Sequence, residues 1–138
     1  MSDTGAAGRA LVRMPPRRAE VARAARKGSG MPPIPRMPER QLQELVRRTA
    51  LLFGFHFYHT HNSRRSDPGF PDCVMLKGSA LLGEPTRLVV AELKSSRGKV
   101  SAAQQGWLDR FRELPGAEVF VWYPRDWLDG TIERVLRG

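Results

Sequence analysis

The sequence predicts an α/β domain built on a mixed sheet, and three observations carry that expectation. A stretch with helical spacing of apolar residues comes first, three short β-branched or aromatic runs follow at close intervals, and a fourth such run returns after a second helical stretch. The first three runs are linked closely enough for a meander, and the fourth rejoins from a helix. The order helix, three strands, helix, strand gives a mixed sheet flanked by helices.

Each element has its own signal. In "PERQLQELVRRTALLFGF", Pro38 is placed to start a helix, Leu42, Leu45, Val46, Thr49, Ala50 and Phe53 recur at helical spacing, and Gly54 stops it. "FHFYHT" at 55–60 is an aromatic strand, "DCVMLK" at 72–77 a second and "RLVVAELK" at 87–94 a third. The loop at 78–86 holds Gly83 and Pro85. "SAAQQGWLDRFREL" at 101–114 is a second helix with Trp107, Leu108, Phe111 and Leu114 on its inner face. Pro115 and Gly116 break it before the strand "AEVFVWY", and a short closing helix is expected from Asp126 onward.

The chain has 138 residues, 41% of them hydrophobic, enough for one modest core. No apolar stretch approaches the ~20 residues of a bilayer span, and the first residues lack the apolar block of a secretory signal, so an intracellular protein is expected. Cys73 is the single cysteine, which excludes an internal disulfide or a cysteine-rich zinc site and suggests buried strand packing. A net charge of +9 and a pI near 11.0 favour a polyanionic partner, nucleic acid before a membrane surface. Residues 1–37 hold eight basic and two acidic side chains and no aromatic residue, and they read as a disordered basic arm ahead of a domain at 38–138. Such an arm either tracks nucleic acid or is a dispensable extension. Arginine outnumbers lysine 19 to 4, and three of the four lysines, Lys77, Lys94 and Lys99, lie between 77 and 99.

In "RLVVAELKS", Leu88, Val90, Glu92 and Lys94 alternate onto one face of the strand, and Val89, Ala91 and Leu93 onto the other. A carboxylate and an ammonium at the end of a buried strand are costly unless each has a partner or a metal. Pro71 is tolerated where the preceding strand opens, and it holds Asp72 at the strand mouth. An antiparallel hairpin of these strands sets the start of one beside the end of the other, so Asp72, Glu92 and Lys94 converge at one sheet edge. Two carboxylates beside a lysine suit metal-assisted phosphodiester hydrolysis: hard oxygen ligands for Mg²⁺, and a cation near the attacking water or the charge developing on the phosphoryl group. The compact, tunable amine suits this better than a guanidinium. A plain Glu-Lys pair at a strand end is the competing reading, because both short motifs recur by chance.

Context adds more. "PD" at 71–72 followed by "ELK" at 92–94 resembles the PD-(D/E)xK nuclease superfamily. More narrowly, "YHTHNSRRSDPGFPD", "AELKSSRGKVSAAQQGWL" and "EVFVWYP" are similar, in that order, to the VRR-NUC family, found as standalone phage and bacterial proteins and as a domain of repair nucleases. The resemblance covers roughly residues 37 to 128. It implies a restriction-endonuclease-like core of order α-β-β-β-α-β and a Mg²⁺ or Mn²⁺ site with Asp72 and Glu92 as ligands. The carbonyl of Leu93 is a further implied ligand, Lys94 the catalytic lysine, Glu39 the glutamate near the start of the first helix, and Gln104 the glutamine after the ExK strand. Trp107 also matches the pattern and is assigned to the core. The implied activity is metal-dependent DNA cleavage, with branched DNA, including Holliday junctions, as a candidate substrate. The implied setting is the cytoplasm of a bacterium or a phage-infected host cell. DNA is the partner, a homodimer is allowed, and neither a membrane nor a small-molecule cofactor is called for.

The residues by themselves leave several of these roles open. Periodicity puts Glu39 on the inward side of its helix with Leu42 and Val46, and Glu44 well away, but an acid at a helix start also suits the dipole. Ser101-Ala-Ala-Gln104 fits a capping box, which would occupy Gln104 at the helix start. Pro68 and Gly69 give a tight turn that lets backbone approach a ligand, and Asp67 caps that turn or stands behind the metal ligands. Ser63, Arg64 and Arg65, with Lys99 beyond the third strand, are expected to grip phosphates flanking the scissile bond, a solvated loop being the bland alternative for the arginines. His59 and His61 would share a strand face as a zinc pair does. All three histidines lie within 56–61, however, so aromatic packing or a phosphate contact is expected instead. The rival class is a non-catalytic nucleic-acid-binding protein that keeps the nuclease fold; its mark would be a damaged triplet, and this triplet is complete.

Overall fold

A computed structural model describes residues 36–61 and 64–138. Residues 1–35, on which most of the basic-arm expectation falls, and Ser63 lie outside the described residues. The compact unit runs from Arg36 to Gly138, and Met37 already packs against its core.

Helix α1 spans Glu39–Leu52 and buries Leu42, Val46, Thr49 and Ala50, the stripe that the apolar spacing marks. Pro38 occupies its N-cap position, where a missing amide hydrogen costs nothing, and the helix ends at Phe53 and Gly54. Strands β1 (His56–His59), β2 (Cys73–Lys77) and β3 (Arg87–Leu93) follow, with a short 3-10 turn at Ala80–Leu82 between the last two. Helix α2 (Ala102–Arg112) leads into β4 (Ala117–Trp122), and helices α3 (Pro124–Leu128) and α4 (Thr131–Arg137) close the chain. The sheet order is β1-β2-β3-β4, antiparallel through β3 and parallel between β3 and β4. The fold is therefore α/β with a mixed, open four-stranded sheet.

Alternation along β3 sorts the layers. Val89, Ala91 and Leu93, with Cys73 and Met75 of β2, form one core with Leu42, Val46 and Ala50 of α1 and with Ile132 and Leu136 of α4. On the other face α2 packs over β3 and β4, and its Leu108 is fully buried. Complete burial of one such aliphatic side chain contributes ~1.5–3 kcal/mol, so this two-sided burial of β3 fixes the strand that carries the acid and the lysine.

Three expectations are corrected. The closing segment is two helices, not one: Pro124 starts α3 two residues before Asp126, and Gly130, at φ +79°, breaks the helical path before α4. Leu114 lies beyond the end of α2 and is 49% exposed, since the chain is already turning toward β4. Trp107 is half-buried and packs on the surface of α2 rather than in the core.

One polar staple ties the sheet to the C-terminal helix. Arg87 donates from Nε and Nη2 to the two carboxylate oxygens of Glu118, both at 2.8 Å, and from Nη2 to the Val135 carbonyl at 2.9 Å. Its Nη1 reaches the Leu136 carbonyl at 3.4 Å, and the guanidinium lies 5.3 Å from the centre of the Phe55 ring. Carbonyls in the last turn of a helix have no partner within it, so Arg87 serves as the side-chain cap of α4. Arg87→Ala is expected to destabilise the protein by about 1–3 kcal/mol, read as a lower urea midpoint with unchanged slope.

Candidate active site

The β2-β3 register sets Cys73 opposite Ala91, so Asp72, one residue outside β2, comes level with the end of β3. Its Oδ2 accepts a hydrogen bond from the Leu93 amide at 2.8 Å. Lys94 lies one residue past β3, yet its amide still donates to the Trp122 carbonyl at 2.9 Å, continuing the parallel pairing with β4. Glu92 and Lys94 therefore stand on neighbouring, rigidly held backbone, 2% and 8% exposed, with Lys94 Nζ 3.1 Å from Glu92 Oε1.

Gln104 joins this pair to the second helix. Its Nε2 donates to Glu92 Oε1 at 2.8 Å, while its Oε1 accepts from Lys94 Nζ at 2.8 Å and from the Ser101 amide at 2.9 Å. The Gln104 amide in turn donates to Ser101 Oγ at 3.2 Å, completing the capping box. The cap and the site contact are thus one arrangement: the amide group that starts α2 also orients both charged side chains.

Asp72, Glu92, Lys94 and Gln104 line a cleft of about 260 Å³ together with Glu39, Thr60, His61, Ser66, Asp67, Gly69 and Phe70. Glu39 reaches it from the first turn of α1, its Oε1 accepting from the Ser95 amide at 3.2 Å, whereas Glu44 pairs with Arg47 and Arg48 on the surface. Thr60 is drawn in by two bonds, its amide to the Asp72 carbonyl at 3.0 Å and its Oγ1 to the Pro71 carbonyl at 3.2 Å. His61 was expected to pack or to meet a phosphate. It does line the cleft, with its ring 3.9 Å from that of His59. Arg64, Arg65 and Lys99 are exposed and do not line the cleft; the two arginines sit on the loop that delivers Ser66, Asp67 and Gly69 to it.

Burial, the Asp72 charge and a hydrogen bond shared with Asp72 push the Glu92 carboxyl up from 4.5 to about 7, against the opposing pull of Lys94. Among the described residues the other Glu92 oxygen, Oε2, is buried with no donor when the carboxyl is ionised. An ionised carboxylate oxygen held out of water without a donor, on a carboxyl that also feels the charge of Asp72, is short of positive charge. Burial and the same two acids raise the Cys73 thiol, so Cys73 is an inert packing residue, as its place in a strand suggested.

The donor set fits a hard divalent cation. Among the described residues no group of three or more His, Cys, Asp or Glu side chains is placed to hold a metal ion, so the cleft offers the two carboxylates Asp72 and Glu92 rather than a full ligand set. Two carboxylates with an open approach are the provision Mg²⁺ normally receives, its remaining positions going to water and substrate phosphate.

The turn at Pro68 and Gly69 also packs against the second helix. Gly69, at φ +87°, lines the cleft and is pressed against α2: a Cβ there would lie 2.4 Å from the Ala103 carbonyl carbon and 2.7 Å from the Gln104 amide nitrogen. Trp107 Nε1 donates to the Pro68 carbonyl at 3.1 Å, and Phe70 packs edge-on to Trp107 and Phe111 at 5.1 and 5.9 Å between ring centres. The loop is thereby clamped to the helix start that positions Gln104. Gly69→Ala is expected to cost about 1–3 kcal/mol of stability and to lower any activity of the cleft by displacing Gln104. Urea unfolding and the turnover rate of the variant measure the two effects.

Comparison with protein-family profiles, with curated proteins and with solved structures finds no match to this chain. Among the described residues, no helix is long and apolar enough to cross a membrane.

Proposed function

We propose that the chain is a metal-dependent DNA endonuclease of the VRR-NUC kind, built on a restriction-endonuclease-like core and acting without a covalent enzyme intermediate. The observation that carries this reading is the meeting of Asp72, Glu92 and Lys94 in one cleft, where a buried Glu92 oxygen has no donor among the described residues. The element order α1-β1-β2-β3-α2-β4 supports it, as does the net charge of +9. Branched DNA is the proposed substrate class, a homodimer a working form compatible with it, and the cell interior its setting.

Asp72, Glu92 and the Leu93 carbonyl would hold Mg²⁺ or Mn²⁺, with Glu39 across the cleft as a further acid. When bound, the cation supplies Lewis acidity at the phosphoryl oxygen and offsets the charge that develops there. The chain's own groups do the rest. The Leu93 amide fixes the Asp72 carboxylate. Lys94 has three N–H donors; Gln104 and Glu92 take two at 2.8 and 3.1 Å, which aims the third at a phosphate oxygen or the attacking water. Gln104 keeps the ammonium from collapsing fully onto Glu92 by offering it a second acceptor.

The test is cleavage of labelled linear, single-stranded, flapped and four-way DNA with Mg²⁺, Mn²⁺ or EDTA, with Lys94→Ala run alongside. Metal-dependent cutting that the variant lacks is the expected result, and the preferred substrate appears in the same gel. Tight binding without cutting by both proteins would replace the nuclease with a DNA-binding protein on the same fold.

A further inference from the structure

Beside the acidic cleft runs a second, shallow groove of about 390 Å³, lined by Ala103, Gly106, Trp107 and Arg110 on the outer side of α2. The two share a wall. Gly69 and Phe70 line the cleft, Gly69 abuts the Ala103 backbone, and Phe70 packs edge-on to Trp107 at 5.1 Å and 76°. The Trp107 ring is fixed rather than free, because its Nε1 is bonded to the Pro68 carbonyl at 3.1 Å. Its one polar atom is thus spent, and what it offers the groove is an aromatic surface.

Gly106 supplies an independent observation. It stands inside the eleven-residue helix α2, and a Cβ built on it would meet nothing within 4 Å. Glycine in a helix interior weakens the helix, and among the described residues no neighbour requires its small size. What it preserves is open space beside Trp107. Arg110 closes the groove with a planar cation, paired with Glu113 at 2.6 Å.

We infer that this groove is a nucleobase subsite, which takes an unpaired base of the DNA strand whose phosphate lies in the cleft, by stacking on Trp107 with Arg110 at its edge. Stacking on an aromatic platform tolerates any base but needs that base out of its pair, so the subsite selects for DNA with unpaired nucleotides beside the scissile bond. Continuity with the cleft is what favours a base of the same strand over an unrelated apolar partner. The inference rests on the nuclease reading and gives it a structural preference.

The experiment uses the full chain carrying Lys94→Ala, with Mg²⁺, and two labelled DNAs. One is a paired duplex; the other carries a single unpaired 2-aminopurine as fluorescent base. Binding is expected to quench the 2-aminopurine. Gly106→Leu, whose side chain fills the groove without crowding the fold, is expected to abolish the quench and weaken that DNA about tenfold to a hundredfold, while leaving the paired duplex unaffected. Trp107→Phe, which keeps an aromatic surface, is expected to retain much of the quench; thermal melting of Gly106→Leu, expected at or above wild type, excludes misfolding. Binding without quenching, or an equal loss on both DNAs, would overturn the subsite while the nuclease reading stands. Absence of binding to either DNA would overturn both. Equal cutting of the paired duplex by wild type and by Gly106→Leu with Lys94 restored is the expected sign that the chemistry is intact.

Discussion

Lys94→Ala is expected to lower the rate of metal-dependent DNA cleavage by about a hundredfold to a thousandfold, the effect of removing one well-aimed charge or donor from a water-poor site, with little change in DNA affinity. The affinity is spared because Lys94 is 8% exposed at the bottom of the cleft, whereas the exposed cations that would hold phosphates, Arg64, Arg65 and Lys99, lie outside it. The variant has a second signature. Lys94 is the cation that holds the Glu92 carboxyl down toward about 7, so without it that carboxyl rises further and residual activity needs higher pH. A cleavage rate measured from pH 6 to 9 therefore reports the loss twice, as a lower plateau and as a midpoint moved up. Lys94→Arg is expected to be nearly as impaired, since the slot between Gln104 and Glu92 admits a compact ammonium and a forked guanidinium would have to displace one of them. An Arg variant of wild-type rate would mean that any cation suffices and that the position is not tuned.

What the sequence made legible follows from the reach of each signal. The alternation of β3 and the proline before Asp72 place both acids and the lysine at one end of a hairpin, because a strand has a period of two and a short loop leaves one antiparallel pairing. Ser101 and Gln104 announce the capping box, a contact three residues long. The same four-residue pattern says nothing of Glu92 and Lys94, yet Gln104 serves both, because the start of α2 is brought to the end of β3 by tertiary packing alone. The inner face of α2 failed at Trp107 and Leu114 for a related reason. Helical spacing finds a side's direction, but here β3 and β4 cover only the part around Leu108, and the loop at Pro68 and Phe70 takes Trp107 for itself. Gly69 was legible as a turn, whereas its real constraint, the Ala103 backbone, lies 34 positions further along the chain.

Glu92 is a buried acid whose proposed role is to hold a cation, and Glu92→Gln separates the cost of burying it from that role. A carboxyl raised from 4.5 to about 7 contributes stability only while protonated: that contribution is complete below about pH 4.5 and is lost as pH climbs through about 7. Above that window the cation-free wild-type protein carries a buried charge with an unpartnered oxygen, at a cost of about 3 kcal/mol by the shift in proton affinity. Glutamine keeps the shape and can still accept from Gln104 Nε2 and Lys94 Nζ through its single oxygen. Glu92→Gln is therefore expected to be more stable than wild type at pH 8 in EDTA by up to about 3 kcal/mol, and indistinguishable from it near pH 4.5. Adding Mg²⁺ or Mn²⁺ at pH 8 should raise the melting temperature of wild type and leave that of the variant unmoved, because a neutral amide is a far poorer ligand than a carboxylate and binding to the native state is what stabilises. Cleavage by the variant should be lost. Urea midpoints at pH 4.5 and 8, with and without cation, decide the matter in one series. A variant less stable than wild type at pH 8 would mean that Glu92 is held chiefly by its pairing with Lys94, and the strand end would then be an ordinary ion pair rather than a seat kept for a metal.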